Sequence, residues 1–149
     1  MSNRKLVLYI HLIWGTWDGK PWITPRIERP VFRSIVNQIH NLGCEVLAIN
    51  GIPDHVHRVV KLKSTIAISL LVKQAKGVSV KLINEQLVKS GNFRWRGGYD
   101  AFTISRWDLQ MIINYVKNQK SHHQEGSYKK NWNSKSRKTS NIPKEGRLV

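Results

Sequence analysis

Three things are scarce in this sequence, and each scarcity excludes something. Cysteine occurs once, at Cys44, so neither an internal disulfide framework nor a cysteine-based zinc site can be built. Acidic residues number nine against 25 Lys and Arg, a formal charge of +16. That balance excludes an acidic solvating chain and favours a polyanionic partner. Long apolar runs are missing too: none approaches the roughly eighteen residues of a membrane span. The opening residues 1–5 lead into a short alternating stretch, not a signal-peptide core. No membrane partner is expected, and the expected compartment is the reducing cytoplasm.

What is present suffices for one core. A chain of 149 residues with 40% apolar side chains fits a single globular domain without staples. Residues 5–16 are rich in β-branched and aromatic types and read as a first strand. Thr24-Pro25 is a helix start, followed by Ile27, Val31, Ile35, Ile39 and Leu42 at spacings of three and four, with Gly43 as the stop. Residues 45–50 and 55–62 read as a hairpin about the tight connection 51–54. Ser64 is positioned to cap a second helix with Ile66, Leu70, Val72, Val78 and Leu82 on its apolar side. Residues 90–100 form a glycine-rich loop, and 101–104 a last strand. Ser105 and Asp108 have capping-box spacing for a third helix running to about residue 124.

The order β-α-β-β-α-β plus a helix predicts an α+β, ferredoxin-like split-βαβ fold, its antiparallel sheet covered by helices on one face. The expected catalytic domain spans 1–125. Residues 126–149 carry seven Lys and Arg against one Glu and read as a flexible basic tail. The eighteen basic and eight acidic residues before it keep the domain itself basic.

Three groups of residues can carry chemistry. In a strand, His55 and His57 face the same side with Val56 turned away. Two imidazoles so arranged can hold a divalent ion on an open sheet face, or can simply be polar residues on a solvated one. On the third helix, Tyr115 and Gln119 are four apart and share a stripe. In the loop, Trp95 and Tyr99 beside Arg94 and Arg96 offer rings and charge for unpaired bases. Lys73 and Lys76 on the second helix are equally a phosphate contact or a solvated face.

These groups combine into one device. A phenol, with a pKa near 10, is barely ionised at neutral pH. Its attack on a phosphodiester needs a cation on the non-bridging oxygens. Two histidines and a glutamine carbonyl make a neutral three-ligand set for that cation. A phosphotyrosine link would conserve the bond energy, so rejoining DNA needs no nucleotide cofactor. No P-loop or cysteine nucleophile competes.

The sequence resembles the single-tyrosine HUH transposases of small insertion sequences, the TnpA-like family, and their REP-associated relatives. The likeness runs from about Tyr9 to His123. It is carried by His11-Leu12-Ile13-Trp14, Ile52-Pro53-Asp54-His55-Val56-His57, Ser69-Leu70-Leu71, Lys76-Gly77, Phe93-Arg94-Trp95-Arg96-Gly97-Gly98-Tyr99 and Tyr115-Val116-Lys117-Asn118-Gln119. The resemblance implies that His55, His57 and Gln119 bind Mg²⁺ or Mn²⁺. It casts Tyr115 as the nucleophile on single-stranded DNA, leaving a 5′-phosphotyrosine and a free 3′-hydroxyl. It also implies recognition of hairpin ends and a homodimer, often with one subunit's tyrosine helix completing the other's histidine site.

The sequence departs from that pattern at Arg58 and in its basic tail, which lacks the more acidic and apolar helical continuation expected after His122-His123. Arg58 occupies a position where relatives commonly carry an aliphatic side chain; pleating turns it toward the helices, where it must snorkel or pair. His122 lies on the tyrosine stripe and can replace or assist Gln119. His11 reads as a strand residue with a structural hydrogen bond rather than a third ligand. Trp14, Trp17, Trp22 and Trp107 read as packing residues. The alternative function is a non-catalytic single-strand nucleic-acid-binding protein, or an inactive transposase remnant, on the same fold; the histidine pair separates it from the enzyme. The nine acids form no obvious pair for a two-metal nuclease.

Overall fold

The computed structural model describes residues 5–124, with the side chains of 122–124 left aside. The expected basic tail therefore lies outside the described residues.

Strand β1 (Tyr9–Gly15) leads through a 3₁₀ turn at Trp17–Gly19 to helix α1 (Pro25–Asn41). Strands β2 (Glu45–Ile52) and β3 (His55–Lys61) form the hairpin. Helix α2 (Ile68–Leu82) ends in a wider turn at Ile83–Leu87, and β4 (Asp100–Ile104) precedes α3 (Leu109–Lys117) and α4 (Gln119–Gln124). All sheet pairings are antiparallel and the strand order is β2-β3-β1-β4. This is the expected α+β, ferredoxin-like arrangement.

Helix α1 follows its sequence pattern closely: Ile27, Val31, Ile35 and Ile39 are buried, and Gly43 takes φ +83°, the left-handed conformation that ends a helix without a Cβ penalty. Helix α2 departs from expectation. It starts at Ile68, not near Ser64, and buries Leu71, Val72, Ala75 and Ser79. Leu70 and Val78, expected inside, are each 40% exposed. Its buried stripe is set by packing along α1, where Gln38 Nε2 donates to Gln74 Oε1 (2.8 Å).

Pleating divides the sheet between two cores. Ile10, Leu12, Trp14, Val56 and Val60 face α1 and α2. Ala48 and Val59 face α3, packing with Val116 and the partly buried Leu109, Ile112 and Ile113. The second face, expected to be open, is thus covered along part of its length by the tyrosine helix. Isolated on an open sheet, that helix's apolar stripe would have nowhere to go.

The expected continuous third helix is broken at Asn118. Asn50 Nδ2 donates to the Lys117 carbonyl (2.8 Å), and α4 begins one residue later. Lys120 ties α4 down: its Nζ reaches Asn50 Oδ1 (2.6 Å), the Gly51 carbonyl (3.0 Å) and Glu28 Oε1 (2.6 Å).

Candidate active site

The hairpin turn sets the histidines. Ile52 pairs with His55 across a turn of only Pro53 and Asp54, tighter than the four-residue connection expected. The turn is anchored from outside: the Ile23 N–H donates to the Pro53 carbonyl (2.9 Å) and the Thr16 N–H to the Asp54 carbonyl (2.9 Å). At Gly51 a Cβ would collide with the His55 carbonyl and the Val56 Cα, so only glycine permits this close return of the chain.

His55 and His57 do share a face, their ring centroids 5.0 Å apart. His55 Nδ1 is 2.6 Å from Asp54 Oδ1. An Nδ1–H donated to that carboxylate puts the lone pair of His55 on Nε2. His57 is buried, and its Nδ1 lies 3.0 Å from Nε2 of His11 in a buried hydrogen bond. Burial first, and then the charge of Arg58, push the His11 pKa down to about 3; the ring is neutral.

Helix α3 brings the phenol to this cluster. The Tyr115 ring centroid is 6.2 Å from that of His57 and 6.3 Å from that of His11, both edge-on. Tyr115 and these histidines belong to one chain. Gln119 is fully buried at the start of α4; its Nε2 donates to the Tyr115 carbonyl (3.4 Å), and its Oε1 is buried with no hydrogen-bond partner. A buried carbonyl oxygen left bare costs roughly 1–3 kcal/mol, a debt that a cation would cancel. Among the described residues no group of three His, Cys, Asp or Glu could hold a metal. The candidate for a third ligand is the Gln119 carboxamide, whose Oε1 is buried and unpartnered. Two imidazoles and one carboxamide oxygen suit a divalent ion with positions left open. The side chain of His122 is outside the description.

A cleft of about 490 Å³ opens beside the pair, lined by Asp54, His55 and His57 on one side and by Arg96, Tyr99 and Asp100 on the other. The loop forming that wall is held firmly. Trp95 bridges to Thr16 and its Nε1 donates to Ser79 Oγ (2.9 Å). Asn84 caps both backbone groups of Phe93. Lys76 Nζ donates to the carbonyls of Arg96 (2.8 Å) and Gly98 (2.6 Å).

These contacts correct two expectations. Trp95 is 7% exposed: its ring belongs to the core, against Trp14 and Phe93, and offers no face to a base. Lys76 is a strut of the loop, partly buried, its pKa lowered by desolvation and then by Arg58. Lys73, Arg94, Arg96 and Tyr99 are exposed. The exposed aromatic surface here is Tyr99 of the loop, 40% exposed, together with Trp17 of the 3₁₀ turn, 47% exposed and with the Arg94 guanidinium 4.2 Å from its ring centre. Trp107, also read as packing, is 80% exposed with Arg106 over it. Asp54, Trp17 and the His11 link were not assigned to the site from sequence. Asp54 had a usable signal, since it immediately precedes the histidine pair in a turn.

A family model described as "Transposase IS200 like" matches residues 5–119, most of the chain and all the elements of this site. The protein belongs to the IS200-like transposase family. No protein of the curated set matches it. Among solved structures, the transposase fold resembles a candidate transposase of Deinococcus radiodurans R1, at 23% identity and a TM-score of 0.61, covering 80% of this chain and 95% of that one. It also resembles a REP-associated tyrosine transposase bound to a REP hairpin, at 12% identity and a TM-score of 0.60, covering 79% of this chain and 71% of that one. At these identities the likeness is one of fold. No helix among the described residues is long and apolar enough to cross a membrane.

Proposed function

We propose that this transposase is a metal-dependent DNA strand transferase. It cleaves and rejoins single-stranded DNA with hairpin ends through a 5′-phosphotyrosine intermediate. The observation that carries the reading is the Tyr115 ring, its centroid 6.2 Å from that of His57, with a Gln119 one turn along whose buried Oε1 has no partner.

His55, His57 and Gln119 would hold a Mg²⁺ or Mn²⁺ ion, which would supply Lewis-acid stabilisation of charge on the scissile phosphate and the departing oxygen. Tyr115 Oη attacks phosphorus and gives up its proton to solvent. The P–O bond to the 3′-oxygen breaks, and that oxygen takes a proton from solvent, leaving a free 3′-hydroxyl and a 5′-phosphate on the tyrosine. Attack by a 3′-hydroxyl on that phosphotyrosine reverses the step, returns the proton to the phenolate and joins strands, with no nucleotide cofactor consumed. Asp54 fixes the His55 ring. Lys73, Arg94 and Arg96 attract phosphates, and Tyr99 stacks a base at the cleft. The domain works from the cytoplasm as a homodimer, each tyrosine serving the histidines of its own chain.

The test is incubation of the full chain with a hairpin-bearing single-stranded oligonucleotide and Mn²⁺, followed by denaturing electrophoresis. A covalent protein–DNA adduct is expected, lost in Tyr115→Phe and in His57→Ala. An adduct that survives Tyr115→Phe rejects the nucleophile. DNA binding without any adduct favours a non-catalytic module.

A further inference from the structure

His57 can serve a metal only through a nitrogen that carries a lone pair, and its surroundings decide which nitrogen that is. Its Nδ1 is committed to His11 Nε2 at 3.0 Å. The two rings are tilted by 32° with centroids 5.2 Å apart, and both are almost fully buried, at 1% and 3% exposure. One proton lies between the two nitrogens, so two arrangements are possible. If His11 Nε2–H donates, His57 Nδ1 spends its lone pair as acceptor; neutral His57 then carries its proton on Nε2 and has no electron pair for a cation. If His57 Nδ1–H donates to a bare His11 Nε2, the lone pair of His57 is at Nε2, at the far side of the ring from His11.

We propose that His11 is a positioning residue of the active site: its unprotonated Nε2 accepts the Nδ1–H of His57 and thereby sets the tautomer in which His57 ligates through Nε2. The histidine pair is then held symmetrically. Asp54 accepts the Nδ1–H of His55 (2.6 Å) and His11 accepts that of His57, so both rings present Nε2. The acceptors differ because their settings differ. Asp54 is at a partly open turn, where a carboxylate is solvated. His11 is inside the sheet, against Phe102 and Tyr115, where burial strongly disfavours a carboxylate and tolerates a neutral imidazole. The inference rests on the metal reading above, but its tautomer is a property of the metal-free chain.

Two measurements on the full-length protein separate the two claims. In metal-free protein labelled with ¹⁵N at histidine, long-range ¹H–¹⁵N spectra should show His57 protonated at Nδ1 and bare at Nε2. His57 protonated at Nε2 overturns the proposal, whether or not metal binds. Mn²⁺ titration then tests the consequence. His11→Phe fills the space without an acceptor and should weaken Mn²⁺ binding about 10- to 100-fold, the usual cost of losing such a support. His11→Gln restores an acceptor in a poorer shape and should recover most of the affinity. A packing role predicts the opposite order, with Phe the better substitute, and that order rejects the proposal. Wild-type protein that shows the Nδ1–H tautomer but binds no Mn²⁺ rejects the metal reading, and with it any role for His11 in metal binding. Should His11→Phe fail to fold, the wild-type tautomer and His11→Gln still decide.

Discussion

The Arg58 guanidinium lies 3.3 Å from the centre of the Trp14 ring, inside the core between the sheet and its two long helices. Its Nη2 donates to the Val56 carbonyl (2.9 Å), while Nε and Nη1 are buried without partners. Burial disfavours the charged form and lowers its pKa. One hydrogen bond and an aromatic face offset only part of that cost.

Replacing the cation with an apolar side chain of similar length should therefore stabilise the domain. Arg58→Met is expected to raise stability by about 1–4 kcal/mol, the range seen when buried ions give way to well-packed apolar groups. Urea unfolding checks it. A lower midpoint would mean that the Trp14 stack and the Val56 bond together outweigh desolvation.

Asp54 is the counterpart on the open side of the sheet. Asp54→Ala removes the carboxylate from His55 Nδ1 but leaves the backbone carbonyl that accepts from Thr16. Mn²⁺ affinity should fall about 10- to 100-fold with the thermal melting point nearly unchanged. Calorimetric titration beside a melting curve measures both. Unchanged affinity would remove Asp54 from the site.

How far the sequence could be read follows from where each structural signal resides. The period of α1 and the alternation at His55 and His57 are local patterns backed by local burial, and both appear in the structure. The break at Asn118 is not local: it depends on Asn50, 67 residues away along the chain, and spacing alone made Tyr115 and Gln119 neighbours on one helix. They remain in contact by a different route. In the glycine-rich loop nothing periodic says which aromatic turns inward. Ser79 and Asn84 decide it from α2 and the turn after it: Phe93 and Trp95 belong to the core, and Tyr99 lies at the surface. The sheet face is closed for a related reason: the apolar stripe of α3 needs a surface to cover, and Ala48 and Val59 supply it across the chain.

The two lysines of α2 should behave differently when removed. Lys73 is exposed, so Lys73→Ala should weaken single-stranded DNA binding modestly and reduce the salt slope by about 0.7 to 1 if it meets a phosphate. Lys76→Ala frees the carbonyls of Arg96 and Gly98. Limited trypsin digestion of that variant should cut after Arg94 or Arg96 several-fold faster than wild type, with Lys73→Ala unchanged. Equal digestion of the two variants would show that the loop does not depend on Lys76.

Trp95 of the loop and Trp17 of the 3₁₀ turn provide a paired test of core against surface. Trp95→Ala deletes a buried ring and its bond to Ser79, a change expected to cost about 3–5 kcal/mol, and it should lower the unfolding midpoint before it affects DNA. Trp17→Ala removes a half-exposed ring stacked by Arg94, so it should leave stability within about 0.5 kcal/mol. If an unpaired base rests on that ring, affinity for a single-stranded oligonucleotide should fall by about 1–3 kcal/mol, read by fluorescence anisotropy at fixed salt. Stability and DNA affinity should therefore separate between the two variants. A Trp17→Ala protein that binds DNA as wild type does would confine strand contact to the cleft between the histidines and Tyr99.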